Sequence, residues 1–156
     1  HWRPDGDDLA LQQFVRRLIG LRHHLAGLLN PEIPHSETRG LRFDQPGHIH
    51  REWHGLQLGQ PDWAAWSHTL AWSLHDHENN ALVWCGVNAY NEDLDFAVPA
   101  CSANWLRAID TSAPPGDDLP EQPPGLEGST VKLTNRSLVF LVAEPLLRNR
   151  TTLREH

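Results

Sequence analysis

The apolar positions of LALQQFVRRLIGLRHHLAGLL recur every three or four residues: Leu11, Phe14, Leu18, Leu21, Leu25 and Leu28, with Val15, Ile19 and Leu29 widening the stripe. That period predicts one amphipathic helix of about twenty residues. Asp5, Asp7 and Asp8 stand at its start, where carboxylates oppose the positive end of the helix dipole, and Pro31 follows its end. Arg16, Arg17, Arg22, His23 and His24 fall mainly on the other side and read as solvated or rim residues.

After a Pro- and charge-rich connection the period shortens to two. HIHREW at 48–53 is a weak strand because it is so polar. TLAWSLHD at 69–76 sets Leu70, Trp72 and Leu74 on one face and Thr69, Ala71 and Ser73 on the other. Asn79-Asn80 is a turn, and ALVWCGVNAY at 81–90, apolar on both faces, reads as a central strand, so the two form a hairpin. LDFAVP at 94–99 alternates again. NWLRAIDT at 104–111 puts Trp105 and Ile109 on one parity, Leu106 and Ala108 on the other. Pro114, Pro115, Pro120, Pro123 and Pro124 make 112–128 an irregular connection. TVKL at 130–133, a turn at Thr134-Asn135-Arg136 and the apolar SLVFLVAE at 137–144 complete the pattern. One helix followed by short, locally connected strands predicts a mainly β fold, an antiparallel sandwich or barrel carrying an N-terminal helix.

Composition narrows the function classes. The 156 residues suit one ordinary domain, and a formal charge of -7 repels phosphate backbones and anionic lipids, so neither nucleic acid nor a membrane surface is an expected partner. Two cysteines, Cys85 and Cys101, are too few for a disulfide scaffold. With no signal-peptide pattern at His1-Trp2-Arg3-Pro4, the expected compartment is the cytoplasm. The opening residue is not Met, so a piece of something longer is expected.

The candidate chemistry is sparse. His48 and His50 can share a strand face with His54 returning from a turn, but two ligands and an unplaced third do not define a zinc site, and no metal is assigned. His75-Asp76-His77-Glu78 precedes a turn, where polar side chains serve solvation. Cys85 reads as a small buried side chain. Asp93 with Asp95, and Asp117 and Asp118 with Glu121, lack a rigid cleft between them. There is no nucleophile elbow, dinucleotide fingerprint or phosphate loop. No catalytic residue and no cofactor are assigned. Among the seven tryptophans, Trp72 and Trp84 have the parity of core residues. Trp53, Trp63 and Trp66 are read as packing a long loop over the sheet, with contact to a sugar face as the alternative.

The order of these segments resembles the C-terminal end of a glycogen or starch debranching enzyme of the isoamylase type, in the alpha-amylase superfamily (glycoside hydrolase family 13). FVRRLIGLRHHLAGLL is similar to the last barrel helix. IHREWHGLQLGQPDWAAWSHTLAWSL resembles the W-x-G and P-DW passage and its apolar strand. ALVWCGVNAYNEDLDFAVP, WLRAIDTSAPP and TVKLTNRSLVFLVAE resemble the strands that follow. The resemblance rests on Trp53, Gly55, Pro61, Asp62, Trp63, Asn88, Trp105, Asp110, Thr111, Arg136 and Ser137, all structural positions. Cys85 and Gly86 depart from a strand that is generally richer in leucine.

The resemblance implies a terminal barrel helix at 1–30, a connection at 31–68 with a short strand, an amylase-type β-sandwich at 69–146 and a tail at 147–156. It implies a parent that hydrolyses alpha-1,6 branch linkages by a retaining mechanism, using carboxylates on an upstream barrel. The chain itself is then a non-catalytic fragment whose partner is that barrel, with alpha-glucan contact in the parent and self-association when isolated. A freestanding carbohydrate-binding module is the alternative.

Overall fold

The structure is a computed structural model and describes residues 6–29 and 49–148. Asp5, Pro31, His48 and the connection at 31–47 lie outside the described residues. Helix α1 spans Gly6–His24, with Asp7 and Asp8 in its first turn and Arg22 in its last, each charge set against the opposite end of the dipole. The chain turns at Leu25 into the short α2, Ala26–Leu29. There the Leu28 amide bonds the Leu25 carbonyl at 3.0 Å, three residues back, which tightens the last turn.

Among the described residues seven strands follow: β1 His50–His54, β2 Thr69–His75, β3 Ala81–Asn88, β4 Leu94–Ala97, β5 Trp105–Asp110, β6 Thr130–Leu133 and β7 Ser137–Ala143, then a short α3, Glu144–Arg148. They form two antiparallel sheets, one of order β1-β2-β3-β7-β5 and one of β4 with β6. The polar β1 is a full strand, paired along its length with β2, so the five-stranded sheet begins well before residue 69.

Register assigns the faces, because residues opposite one another point to the same side. Trp53, Trp72, Cys85, Phe140 and Ile109 line one face; Glu52, Ser73, Trp84, Leu141 and Arg107 line the other. A bulge between Arg107 and Ile109 shifts the register, so Trp105 and Ile109 lie on opposite faces although their spacing predicts one face. The β4–β6 sheet meets the second face, where Trp84 and Phe96 make an edge-on ring contact at 6.1 Å. One continuous core holds Trp84, Phe96, Leu133, Leu141 and Val142 together with Leu21, Leu25 and Leu28 of the helical segment.

Two polar groups of α1 hold it to the β domain. Arg17 donates to the carbonyls of Leu119 and Gly116 at 3.2 and 3.4 Å, and His24 donates to that of Leu146 at 2.6 Å. Their spacing reads as solvated, but long side chains at the edge of the buried stripe reach carbonyls that the irregular 112–128 connection and α3 leave unpaired. That connection is itself anchored: Leu119 is buried, and the amide of Asp110 bonds the Asp118 carbonyl at 2.9 Å.

Candidate functional site

The positions that carry the family resemblance do not converge on one cleft. At the β1 edge, Trp53 packs edge-on against Trp63 with centroids 5.5 Å apart, and the Arg51 guanidinium lies over both Trp53 and Trp72. Between these rings the chain makes a close turn. A side chain at Gly55 would collide with the Gln60 carbonyl, Gly59 has φ 66°, Pro61 follows, and Asp62 accepts from the Ala64 amide at 3.0 Å. Trp63, 64% exposed, still rests its ring against Trp53 of the sheet edge, whereas Trp66, 78% exposed, projects from the loop.

At the far end of β3, buried Asn88 joins the two sheets. Its amide nitrogen donates to the carbonyls of Glu92, Leu133 and Thr134 at 2.8, 3.2 and 3.1 Å, and its oxygen accepts from the Tyr90 amide at 3.0 Å. Arg136 holds the left-handed turn at φ 51°, and the Ser137 hydroxyl donates back to the Thr134 carbonyl at 2.7 Å. Asp110 closes β5 by accepting from the amide and hydroxyl of Ser112 and pairing with Arg107 at 3.1 Å; Thr111 then receives the Leu138 amide at 2.9 Å. Trp105 is buried and donates its indole N–H to the Pro99 carbonyl at 2.9 Å.

Three of the acidic candidates have defined places in the fold. Asp93 accepts from the Asn135 amide, Asp118 from those of Gly116 and Leu119, and Asp95 stands opposite Lys132 in the small sheet. Asp76 organises the β2–β3 turn. Burial works its carboxyl upward, but bonds from the side chain and backbone of Asn80 and the backbone of Glu78 outweigh this and hold it below the ordinary value. Cys85 lies between Trp72 and Phe140, opposite it on the flanking strands, and burial pushes its thiol up to about 12.

Two features remain that could engage something else. The first is the outer face of α1, where Leu11, Val15, Leu18 and Ile19 are exposed, Leu11 by 63% and Ile19 by 51%, while Leu21, Leu25 and Leu28 are buried. At about 100° per residue the exposed stripe lies roughly a quarter-turn around the helix from the buried one. Beside it runs a groove of about 350 Å³ between Leu11 and Phe14 of the helix and Thr111, Pro115 and Asp118 of the β domain.

The second is a line of polar groups on the inner face of β1 and β2. The Gly59 amide donates to His54 Nδ1 at 2.9 Å, His54 Nε2 meets the Ser73 hydroxyl at 2.7 Å, that hydroxyl meets His75 Nε2 at 2.7 Å, and His75 Nδ1 meets the Asn79 carbonyl at 3.3 Å. With both rings neutral, the ends fix the direction of every bond. A backbone amide can only donate and a carbonyl can only accept, so neutral His54 donates from Nε2 to Ser73, Ser73 donates to His75 Nε2, and His75 donates from Nδ1. Burial, acting against the charged ring, lowers the pKa of His54; Glu52 works upward and His75 downward. His50, Glu52 and His75 meet at the mouth of this line, with donor atoms within 4.8 Å of one another. Grouping histidines by nearness in the chain joins His54 to His48 and His50 and leaves out Glu52 and His75; the signal that unites the true neighbours is the hairpin register that sets His50 opposite His75.

No protein-family model matches the chain, and no curated protein matches it in sequence.

Proposed function

We propose that the chain is the non-catalytic C-terminal part of a debranching enzyme of the isoamylase type, in which α1 is the last helix of an upstream catalytic barrel and the two sheets are the amylase-type sandwich that follows. The observation that carries this reading is the second apolar stripe of α1. A helix serving only its own small domain needs one apolar face; Leu11, Val15, Leu18 and Ile19 give this one a further face, unburied by the described residues. The carboxylates of Asp93, Asp110 and Asp118, each engaged by a backbone amide, fit a chain that supports chemistry performed elsewhere.

The test is to extend the chain through the reading frame upstream of His1 and assay branched maltodextrin for new reducing ends. The reading predicts β/α-alternating sequence upstream, debranching by the extended protein and none by the 156-residue chain. A start codon immediately before the His1 codon, or activity of the short chain that disappears when one of its own carboxylates is changed, would contradict it.

A second reading, a freestanding alpha-glucan-binding module, is favoured by the exposed rings of Trp63 and Trp66. Glycogen retardation in native gels that disappears in Trp63→Ala and Trp66→Ala would favour it.

A further inference from the structure

We propose that His50, Glu52 and His75 form a binding site for a divalent transition-metal cation, of which Zn²⁺ is the natural occupant by ligand type. Two imidazoles and one carboxylate are the donor set of many open zinc sites, in which a fourth position is left to water.

The geometry supplies what such a site requires. Glu52 offers one oxygen to each ring: Oε1 lies 3.5 Å from His50 Nε2 and Oε2 lies 3.5 Å from His75 Nε2. These separations are long for hydrogen bonds and close to the edge of a tetrahedron built on metal–ligand bonds of about 2.0 Å, which is roughly 3.3 Å. The His50 and His75 rings are stacked, centroids 5.2 Å apart and planes 19° apart, because β1 and β2 set them directly opposite.

The tautomer of His75 is already the one a metal needs. Its Nδ1 proton is committed to the Asn79 carbonyl, so Nε2 carries the lone pair, which here accepts from the Ser73 hydroxyl; the Nδ1 bond is the outer-shell arrangement that orients metal-bound histidines. Asn79 holds φ 65°, in the turn that brings its carbonyl back to the ring. On metal binding, His75 Nε2 exchanges the bond from the Ser73 hydroxyl for a bond to the cation, and Ser73 keeps the one it accepts from His54. His54 cannot compete, since its Nδ1 is held by the Gly59 amide. The nearest positive side chain on β1, Arg51, belongs to the opposite face over Trp53 and Trp72 and does not oppose a cation here. His50 and Glu52 are half exposed, which gives the ion a path in and a solvent-facing fourth position.

Zn²⁺ titrated into the metal-free 156-residue chain, in competition with a chromophoric chelator, reads the stoichiometry and affinity. His50→Ala and Glu52→Gln change exposed side chains and preserve the core; His68→Ala, beyond the other end of β2, serves as control. Because loss of buried His75 could unfold the sheet, its part is read by imidazole ¹⁵N resonances in the unaltered protein. The expected result is one Zn²⁺ per chain, affinity at least about tenfold weaker in both variants and unchanged in the control, and a Zn²⁺-dependent shift of His75 Nε2. Failure of the parent to take up one equivalent, parent-like affinity in either variant, an equal loss in His68→Ala, or an unmoved His75 Nε2 would overturn the proposal.

Discussion

The indole of Trp84 lies over the α-carbon of Gly86, two residues along the same strand, so that a side chain at 86 would run into the far edge of the ring. Both residues point to the inner face of β3, and the ring fills the space that the glycine leaves on its way to Phe96. A glycine in a central strand costs conformational entropy; here it makes room for a fully buried tryptophan. Trp84→Ala is expected to destabilise by about 3–5 kcal/mol and Gly86→Ala by about 1–3 kcal/mol. In the double variant the methyl at 86 loses its collision, so the combined cost should fall below the sum. Urea unfolding of the four proteins checks this, and strict additivity would show that the two residues do not share a site.

Asn88 is expected to be the most sensitive polar position of the sheet. Three carbonyls depend on its amide nitrogen, so Asn88→Ala should cost about 1–3 kcal/mol for the acceptors left unpaired. Asn88→Asp should cost more, because a carboxylate then faces those same carbonyls. Equal midpoints for the two variants would contradict the assigned orientation of the amide.

The thiols give a chemical check on packing. Burial raises both, Cys85 to about 12 and Cys101 in the same direction, with a backbone bond from Ala103 working against it at Cys101. At neutral pH, Cys85 is expected to resist alkylation in the folded protein and to react on unfolding, with the half-buried Cys101 reacting first. Mass spectrometry of briefly alkylated protein would show the order, and early label at Cys85 would place it outside the core.

The polar line through His54 carries a pH dependence of definite sign. Its folded pKa is below the ordinary 6.5, so the unfolded chain takes up a proton more readily than the folded one. The stability it contributes is complete above pH 6.5 and is lost as pH falls through the lowered folded value. His54→Gln should remove part of the acid sensitivity of the unfolding midpoint between pH 7.5 and 5, windows set on either side of about 6.5. An unchanged pH slope in that variant would mean that His54 titrates as it does in the unfolded chain.

Most strands are legible in the sequence because apolar alternation survives wherever a strand buries a face: β2, β3 and β7 fall where Leu70–Leu74, Ala81–Val87 and Leu138–Val142 place them. The polar β1 gives a faint signal because its inner face is histidine and glutamate, yet the ladder to β2 makes it a full strand. The bulge at Arg107 is invisible to a period-two pattern, so Ile109 changes face. The His50, Glu52 and His75 cluster is equally hidden, since it depends on pairing register between segments far apart in the chain. Val15 and Ile19, by contrast, announce a helix with more apolar surface than one interface uses.

That surplus is tested most directly by sedimentation velocity of the isolated chain over a range of concentrations, beside a Leu11→Asp, Ile19→Asp double variant. If α1 carries a second interface, the parent should self-associate as concentration rises, because covering each Å² of apolar surface gains about 25 cal/mol before association costs. The double variant should remain monomeric with an unfolding midpoint close to that of the parent. A parent that stays monomeric at every concentration, or a double variant that loses stability as a core substitution would, contradicts the account: the stripe would then belong to this domain alone.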